Sequence, residues 1–255
     1  MGKKVTDSFG DRMKAYEAVS DVRLMKRCPV IVRIDGRAFH TFTRGFAKPF
    51  DDVFSKTMQM TLKSLCENIQ GCVFGYVQSD EMTLVLCDYQ TYETSAWFDY
   101  RLEKVCSLSA SMATRFFNKY FIDNVVEKKK TDKTFDAEKY ERRFFTADLD
   151  SRAFNVPIAD VCNAVLWRQK DCEKNSVQML ARSLFSHKEL MGISTKGLQD
   201  KMFTEKGVNW NDVPVMYKRG VSCVKDENGK WFLDYNMPIL SQDRDYIESR
   251  IIFED

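Results

Sequence analysis

The feature that most constrains the fold of this chain is a β-branched run, Pro29–Asp35 (PVIVRID), which ends in the turn signal Asp35-Gly36. An apolar run of this length and composition is typical of a buried strand. After a polar loop, apolar residues recur at helical spacing between Phe50 and Leu65, and this pattern predicts an amphipathic helix. The core of the fold therefore starts with a strand that is followed by a helix.

Two further strand-like runs, Cys72–Val77 and Met82–Leu86, flank residues 78–81 (QSDE) and predict a hairpin with an acidic tip. A second helix is predicted from Thr94 to about Asn118, and strand-like residues return over Thr146–Val156. The resulting order, βαββαβ, is the ferredoxin-like arrangement of an α+β protein. In that arrangement helices cover one face of an antiparallel sheet.

The rest of the chain is predicted to be mostly helical. Pro157 is placed to open a helix that runs to about Phe185, and another helix is predicted over Thr195–Glu205. The turn signal Asn228-Gly229 predicts a hairpin between the runs 219–224 and 231–233. We therefore expect a catalytic part, residues 1–157, and a helical and hairpin part, residues 158–255. No Pro- or Gly-rich linker separates them, so we expect them to pack together.

Composition restricts the partner and the compartment. The formal net charge is +2 over 255 residues, so a nucleic-acid partner would need a local basic patch. Eight cysteines without a CxxC pair and only two histidines argue against a zinc site and favour a reducing compartment. No signal peptide and no apolar run of membrane-spanning length are visible. We therefore expect a cytoplasmic protein without a membrane partner.

Asp35 closes the first strand and Asp80 lies at the hairpin tip. In a βαββ sheet these strand ends are antiparallel neighbours, and two carboxylates that meet there repel unless they are protonated or bind metal. Oxygen-only ligands favour Mg²⁺, and two such ions support phosphoryl transfer, with the carbonyl of Gly36 as a further ligand. On spacing alone, the simpler interpretation that both aspartates are turn residues stays open.

Five short motifs resemble those of the tRNA(His) guanylyltransferase family. In chain order they are Arg33–His40 (RIDGRAFH), Phe46–Pro49 (FAKP), Tyr76–Glu81 (YVQSDE), Trp167–Gln169 (WRQ) followed by Asp171, and Met216–Gly220 (MYKRG). Each motif is weak alone, but five in the right order are specific. Together they extend the resemblance over roughly Asp7 to Gly220.

The resemblance implies a polymerase-palm-like catalytic domain and a nucleotidyltransferase that adds nucleotides to RNA in the 3′→5′ direction. ATP or GTP would activate a 5′-monophosphate, and NTPs would be the substrates. The implied catalytic residues are Asp35 and Asp80, which with Gly36 would bind two Mg²⁺ ions. The implied nucleotide-binding residues are Asp35, Gly36, Arg37, Ala38, Phe39, His40, Lys48, Ser79, Asp80, Arg101, Lys104 and Asn175.

Three of these residues, Lys48, Arg101 and Lys104, would bind the triphosphate. Arg101 and Lys104 are three positions apart on the second predicted helix and could share one phosphate tail. A solvated helix face is the alternative for that pair. His40 is a candidate for stacking on the nucleotide, and the alternative is a loop histidine without a special role.

One departure from the family's pattern bears on function. After Trp-Arg-Gln-x-Asp-Cys, eukaryotic members continue with His-Ile-Asn-Asn-Leu-Tyr-Asn, whereas this chain has Glu173–Met179 (EKNSVQM). The change resembles the bacterial and archaeal guanylyltransferase-like branch, which implies template-dependent repair of 5′-truncated tRNA. Two alternatives stay open: a non-templated tRNA(His) guanylyltransferase that adds G at position −1, and a catalytically inactive tRNA-binding module.

The expected macromolecular partner is tRNA, which requires phosphate contacts from local basic groups. The candidates are Lys128, Lys129 and Lys130, with Lys133 nearby, and Arg142, Arg143, Lys188, Lys218 and Arg219. The lysine run lies in Glu127–Lys133, which is predicted to be a mobile charged loop, and a solvated loop explains it equally well. The resemblance further implies a homotetramer in which tRNA crosses between subunits.

Overall fold

A computed structural model describes residues 8–253, so Asp7, where the family resemblance begins, lies outside the described residues. Its centre is a six-stranded sheet in the order β4-β1-β3-β2-β5-β6, and every neighbouring pair is antiparallel. The strands are β1 (Val30–Gly36), β2 (Cys72–Gln78), β3 (Glu81–Leu86), β4 (Leu149–Asn155), β5 (Val221–Lys225) and β6 (Trp231–Asp234).

The described helices connect and cover these strands. They are α1 (Ser8–Ala18), α2 (Phe39–Phe42), α3 (Asp52–Asn68), α4 (Leu102–Thr131), α5 (Glu138–Glu141), α6 (Ile158–Leu184), α7 (His187–Leu190), α8 (Thr195–Lys206), α9 (Val215–Arg219) and α10 (Asp245–Glu248). Two short 3₁₀ segments cover Trp97–Tyr100 and Trp210–Asp212. Within residues 8–253, none of the helices combines the length and apolar character needed to cross a bilayer.

The predicted βαββαβ arrangement is confirmed by the order of β1, α3, β2, β3, α4 and β4 and by the strand order β4-β1-β3-β2. The hairpin β5–β6 was predicted from Asn228-Gly229, and the structure adds that β5 pairs with β2. Hydrogen bonds across the sheet therefore join residues on both sides of position 157. The division of the chain into two parts at that position stays a prediction.

Helices lie on both faces of the sheet, whereas the βαββαβ pattern predicted them on one. On the first face Val32, Ile34 and Leu84 pack against α3 and α4. On the second face Ile31 and Val85 belong to a separate cluster with apolar residues of α6. The first half of β1 is apolar on both faces, as expected for a strand that is covered on both sides, whereas Arg33 and Asp35 follow Ile31 on the second face.

The predicted limits of α4 and the predicted mobile loop at Glu127–Lys133 were wrong. The buried stripe of α4 continues through Phe117, Phe121 and Val125, so the helix extends to Thr131. The lysine run therefore occupies the last helical turn, where positive charge is favourable. At the other end, residues 98–100 have φ of 48°, 54° and 51°, and this left-handed turn prevents the helix from starting at Thr94.

Candidate active site

Asp35 and Asp80 meet at one end of the central strands. Asp35 pairs in register with Glu81 at the start of β3, and the N–H of Gly36 donates to the carbonyl of Asp80 at 3.0 Å. The tight β2–β3 turn depends on Ser79, whose φ is +50°. The two aspartates are therefore adjacent, as expected for the end of one strand beside the start of its antiparallel neighbour.

The electrostatics of this corner are unfavourable for Asp35. Burial raises the pKa of the Asp35 carboxyl, the negative charges of Asp80 and Asp150 raise it further, and Arg152 and the N–H of Gly36 oppose them. Asp150 lies directly across from Asp35 in the β1–β4 register. Among the described residues, no arginine or lysine forms an ion pair with Asp35 or Asp80. Arg152 instead pairs with Asp150 at 3.0 Å, so Asp35 and Asp80 have no cation of the described residues in direct contact.

Such a corner fits a divalent cation that is only partly enclosed by protein. Its carboxylate and carbonyl oxygens are hard ligands of the kind that Mg²⁺ prefers. Within residues 8–253, no three His, Cys, Asp or Glu side chains converge to cage an ion. Asp35, Asp80 and the carbonyl of Gly36 would therefore leave coordination positions for water and for substrate phosphates.

Glu81 follows Asp80 directly but has a different environment. Its carboxylate accepts from Nε of Arg168 and lies 3.7 Å from Nε of Arg33. The side chains of Glu81 and Arg168 are only 8% and 10% exposed. Burial raises the pKa of Glu81, and Arg168 and then Arg33 act against that shift. Glu81 is thus committed to a buried ion pair and is not available as a third metal ligand.

A cavity of about 430 Å³ opens beside the aspartate pair. Its volume lies within the usual range for small-ligand sites. The lining residues are Phe39, His40, Thr43, Phe46, Ala47, Lys48, Pro49, Asp51, Phe54, Ser79, Asp80, Asn175, Gln178, Met179 and Arg182. The cavity therefore brings together six members of the predicted nucleotide-binding set, from α2, the following loop, the β2–β3 turn and α6.

The local structure after β1 explains how the side of the cavity that contains Phe39 and His40 forms. Ala38 has a left-handed φ of 54°, so α2 starts immediately after the strand. Phe39 then turns inward, where it is 2% exposed and stacks on Phe42. A Cβ at Gly36 would lie 2.4 Å from the Phe39 ring, so this approach requires glycine. His40 remains exposed on the cavity side.

The loop that carries Lys48 is fixed by Asp51. The Asp51 carboxylate caps α3 by accepting from the N–H of Phe54 at 2.8 Å, and it also accepts from the N–H of Ala47 at 3.0 Å. The hydroxyl of Tyr140 donates to the same carboxylate. These bonds hold the loop on both sides of Lys48, whose exposed side chain lines the cavity.

Arg101 and Lys104 are not part of this cavity. Arg101 precedes α4 in extended backbone conformation, so the expectation that both residues lie on the helix was wrong for Arg101. Its guanidinium makes two hydrogen bonds to Asp21, at 2.9 and 3.0 Å, and these bonds lower the pKa of Asp21 to about 2. The N–H of Leu24 donates to the carbonyl of Tyr100, next to Arg101, and the N–H of Met25 donates to the side chain of Asn155. Asn155 pairs with Val30 at the start of β1. Arg101 therefore lies at the end of β1 opposite to Asp35.

The predicted RNA-contacting residues have different environments. Several already have acidic partners: Lys128 with Asp132, Lys129 with Glu141, Arg142 with Glu138, Arg219 with Glu173, and, from the nucleotide set, Arg37 with Asp148. Lys130, Lys133 and Lys188 are exposed, and Nε of Arg143 is buried without a described hydrogen-bond partner. Lys218 is 7% exposed and donates to the carbonyl of Asn211, so its ammonium faces the protein interior.

The structure also places four residues at the site that the sequence pattern did not identify. Asp150 and Arg152 lie on β4 opposite Asp35 and Arg33, and Gln178 and Arg182 of α6 line the cavity. Periodicity identified β4 and α6 as elements. It contained no signal for the register of β4 or for the side of α6 that faces the cavity.

Comparison with known proteins agrees with this geometry. The family model of tRNA(His) guanylyltransferase (Thg1) matches residues 10–157. A bacterial tRNA(His) guanylyltransferase (Thg1)-like protein solved in complex with ATP is 42% identical, with a TM-score of 0.86 over 96% of this chain and 100% of that chain. A structure of such a bacterial protein with GTP is 37% identical, with a TM-score of 0.76 over 96% and 100% of the two chains.

A further relative is the probable tRNA(His) guanylyltransferase of Homo sapiens, which is 27% identical over 88% of this chain and 73% of the human protein. The fold is thus the palm-like fold of these nucleotidyltransferases, with its acidic pair at the expected strand ends. The chain belongs to the tRNA(His) guanylyltransferase family, whose members are nucleotidyltransferases acting on tRNA.

Proposed function

We propose that this protein adds nucleotides to the 5′ end of truncated tRNA in the 3′→5′ direction, against a template, after ATP or GTP activates a 5′-monophosphate. The observation that carries the proposal is the adjacent pair Asp35 and Asp80, which has no cation in ion-pair contact among the described residues and of which Asp80 lines a nucleotide-sized cavity. That cavity also contains His40, Lys48 and Asn175, which match the family's nucleotide-binding positions. The likeness to bacterial Thg1-like proteins solved with ATP and GTP supports the same assignment.

In this mechanism Asp35, Asp80 and the carbonyl of Gly36 would hold two Mg²⁺ ions. When bound, Mg²⁺ supplies charge neutralisation at the transferring phosphate and activation of the attacking hydroxyl. The protein's own contribution is positional, since its carboxylates are fixed by β1 and by the β2–β3 turn. The raised pKa of Asp35 means that protons compete with the cation at this site.

The cavity residues would bind the nucleotide. Lys48 offers an ammonium to the triphosphate, and Arg182 is a second exposed cation on the wall formed by α6. His40 offers an exposed ring for stacking on the base, whereas Phe39 is buried in the core and serves to shape the wall. The amide of Asn175 bonds to Asp171 at 3.3 Å and retains further hydrogen-bonding capacity.

The segment Glu173–Met179 supports templated addition over addition of G at position −1. It lies on α6, where Ser176 and Val177 are buried and Ser176 accepts from the indole N–H of Trp210 at 3.0 Å. Glu173, at the position of the eukaryotic histidine, faces Arg219 at 3.8 Å. Two residues of the segment therefore pack internally, Asn175, Gln178 and Met179 line the cavity, and the chain carries a carboxylate where the eukaryotic pattern has an imidazole.

The test is extension of a tRNA that lacks its first 5′ nucleotide, with Mg²⁺, ATP and the four NTPs. We expect incorporation of the nucleotide complementary to the opposing base. G placed opposite C should be favoured strongly over G placed opposite A. A preference for A would instead establish non-templated addition at position −1, and RNA binding without any incorporation would establish the inactive tRNA-binding module.

We further propose that the protein works in the cytoplasm as a homotetramer with tRNA crossing between subunits. The described cysteines are all free thiols, which agrees with a reducing compartment. Arg101 and Lys104 lie far from the aspartate pair of their own chain, so an assembly of copies would let them contact phosphates bound to a neighbour. The exposed lysines Lys130, Lys133 and Lys188 remain the best placed for RNA phosphates.

A further inference from the structure

Trp167 is an exposed aromatic residue near the middle of α6, in the Trp-Arg-Gln motif. It is 56% exposed, whereas its neighbour Arg168 is buried against the sheet. The guanidinium carbon of Arg168 lies 4.5 Å from the indole centroid, and that of Arg33 lies 5.3 Å from it. An indole that is held by two guanidinium groups and still exposes much of its surface is suited to stacking against a nucleobase.

The indole borders an uncovered part of the sheet face that carries Asp35. Arg33 and Asp35 are two apart on β1, so their side chains emerge on one face about 7 Å apart. Opposite them on β4 are Arg152 and Asp150, whose side chains are 51% and 58% exposed. Helix α6 therefore leaves this edge of the face open. We name Arg33, Asp150, Arg152 and Trp167 the open shelf.

The open shelf and the nucleotide cavity occupy different positions along α6. The cavity contacts α6 between Asn175 and Arg182. Trp167 comes eight residues before Asn175, which corresponds to about 12 Å along a helix. Asp80 lines the cavity, and Asp35 shares the sheet face of the shelf. Nucleotidyl transfer needs an NTP and an RNA end at one centre, and the shelf offers a place for the RNA end that does not compete with the cavity.

Arg33 has hydrogen-bonding capacity that the protein does not use. Its Nε is buried and has no hydrogen-bond partner among the described residues, because Glu81 lies 3.7 Å away and binds Arg168 more closely. The Arg33 side chain is 17% exposed, so a guanidinium held by β1 beside an exposed indole can bind a phosphate through its accessible side while the base stacks. The shelf therefore combines the two chemical groups that recognise a terminal nucleotide.

From this arrangement we infer that the 5′-terminal nucleobase of the RNA stacks on the indole of Trp167, with its phosphate facing Arg33. The inference rests on the proposed function, since it specifies where the RNA end is held during transfer. Trp167 is then a substrate-binding residue that sets the distance between the 5′ end and Asp35.

The test uses tRNA with 2-aminopurine as its 5′-terminal base, bound to the intact protein with Mg²⁺ and without NTP, so that nothing turns over. Wild type should quench the fluorescence. Trp167→Ala should lose the quench and bind this RNA about tenfold more weakly, while ATP affinity is unchanged. Trp167→Phe should keep most of the quench, because a smaller ring still stacks.

Tyr92→Ala is the matched control. Tyr92 is another exposed aromatic beside an arginine, with 94% exposure and Arg27 at 5.9 Å, and it lies beyond the far end of β3. This variant should bind and quench like wild type. The inference is overturned if Trp167→Ala behaves like wild type, if Tyr92→Ala loses the quench equally, or if 2-aminopurine at the third nucleotide shows the same dependence on Trp167.

The extension assay separates this result from the proposed function. If wild type extends the RNA but Trp167 does not affect the quench, the stacking site is wrong and the templated activity stands. If wild type shows a Trp167-dependent quench but never extends the RNA, the stacking site stands and the templated activity is wrong.

Discussion

The acidic residues at the two ends of the central sheet have opposite environments: those at one end are paired with arginine or lysine, and the aspartate pair at the other end is not paired within the described part of the chain. At the end where β1 begins, Asp21 binds Arg101 and Arg23, and Asp99 pairs with Arg23 and Lys26. At the end where β1 finishes, Asp35 and Asp80 face each other with no arginine or lysine in ion-pair contact among the described residues.

This difference separates charges that hold the fold together from charges that are kept for a ligand. A carboxylate that serves structure gains from a cation nearby, and the protein supplies one at the first end. A carboxylate that must bind Mg²⁺ has to remain free of ion pairs. At the second end the repulsion between Asp35 and Asp80 therefore stays uncompensated. Glu81 sharpens the contrast, because it follows Asp80 directly and yet is paired with Arg168.

The largest effect should come from the unpaired acids. Asp35→Asn or Asp80→Asn removes a charged oxygen ligand while preserving shape, so extension of truncated tRNA should fall by at least about a hundredfold. Single-turnover incorporation with Mg²⁺ measures this. Asp99→Asn is the matched control from the paired end, since asparagine also tolerates its φ of +54°, and its rate should equal that of wild type. Equal losses in all three variants would contradict the distinction between the two ends.

The next effect concerns stability. Glu81→Gln removes the buried carboxylate that accepts from Nε of Arg168 and leaves this guanidinium only its pair with the partly exposed Asp171, so the free energy of unfolding should fall by about 3 kcal/mol. Urea denaturation measures this change. Glu205→Gln removes the 50% exposed carboxylate that pairs with Lys201 on α8, and it should lower the free energy of unfolding by no more than about 0.5 kcal/mol. Similar losses in both variants would show that the burial of Glu81 adds nothing to its ion pair.

Sequence reasoning recovered the sheet and its acidic corner because both depend on local signals. The apolar run that ends at Asp35, the acidic tip at Asp80 and the helical spacing of α3 each occupy a short segment. Strand order then follows from the βαββαβ sequence of elements, so the meeting of the two aspartates was predictable.

What sequence reasoning missed depends on contacts between distant segments. The position of Arg101 follows from the left-handed turn at residues 98–100 and from Asp21, and neither is visible in the spacing of Arg101 and Lys104. The exposure of Asp150 and Arg152 depends on where α6 crosses the sheet. A residue pattern reports which face of an element is apolar, but not which neighbour leaves part of that face uncovered.

The smallest effect is a difference in pH dependence between the two ends. Hydrogen bonds from Arg101 and Arg23 lower the pKa of Asp21 to about 2 from its ordinary 3.8. The contribution of Asp21 to the stability of the fold is therefore present above pH 3.8 and is lost as the pH falls toward 2. Burial, Asp80 and Asp150 raise the pKa of Asp35, so its carboxylate is destabilising at neutral pH and this effect is relieved as the pH falls through the raised pKa.

In EDTA at pH 7, Asp35→Asn should therefore unfold at a higher urea concentration than wild type, and Asp21→Asn at a slightly lower one. Acidification should reduce both differences in urea midpoint from wild type, which have opposite signs. The difference for Asp35→Asn should decline at a higher pH than the difference for Asp21→Asn. Urea unfolding from pH 7 to pH 4 follows the first difference and the beginning of the second. Saturating Mg²⁺ should reverse the order at pH 7, because the ion stabilises wild type and not Asp35→Asn. If both variants lost stability at pH 7 in EDTA, Asp35 would be a structural acid like Asp21, and the two ends of the sheet would not differ.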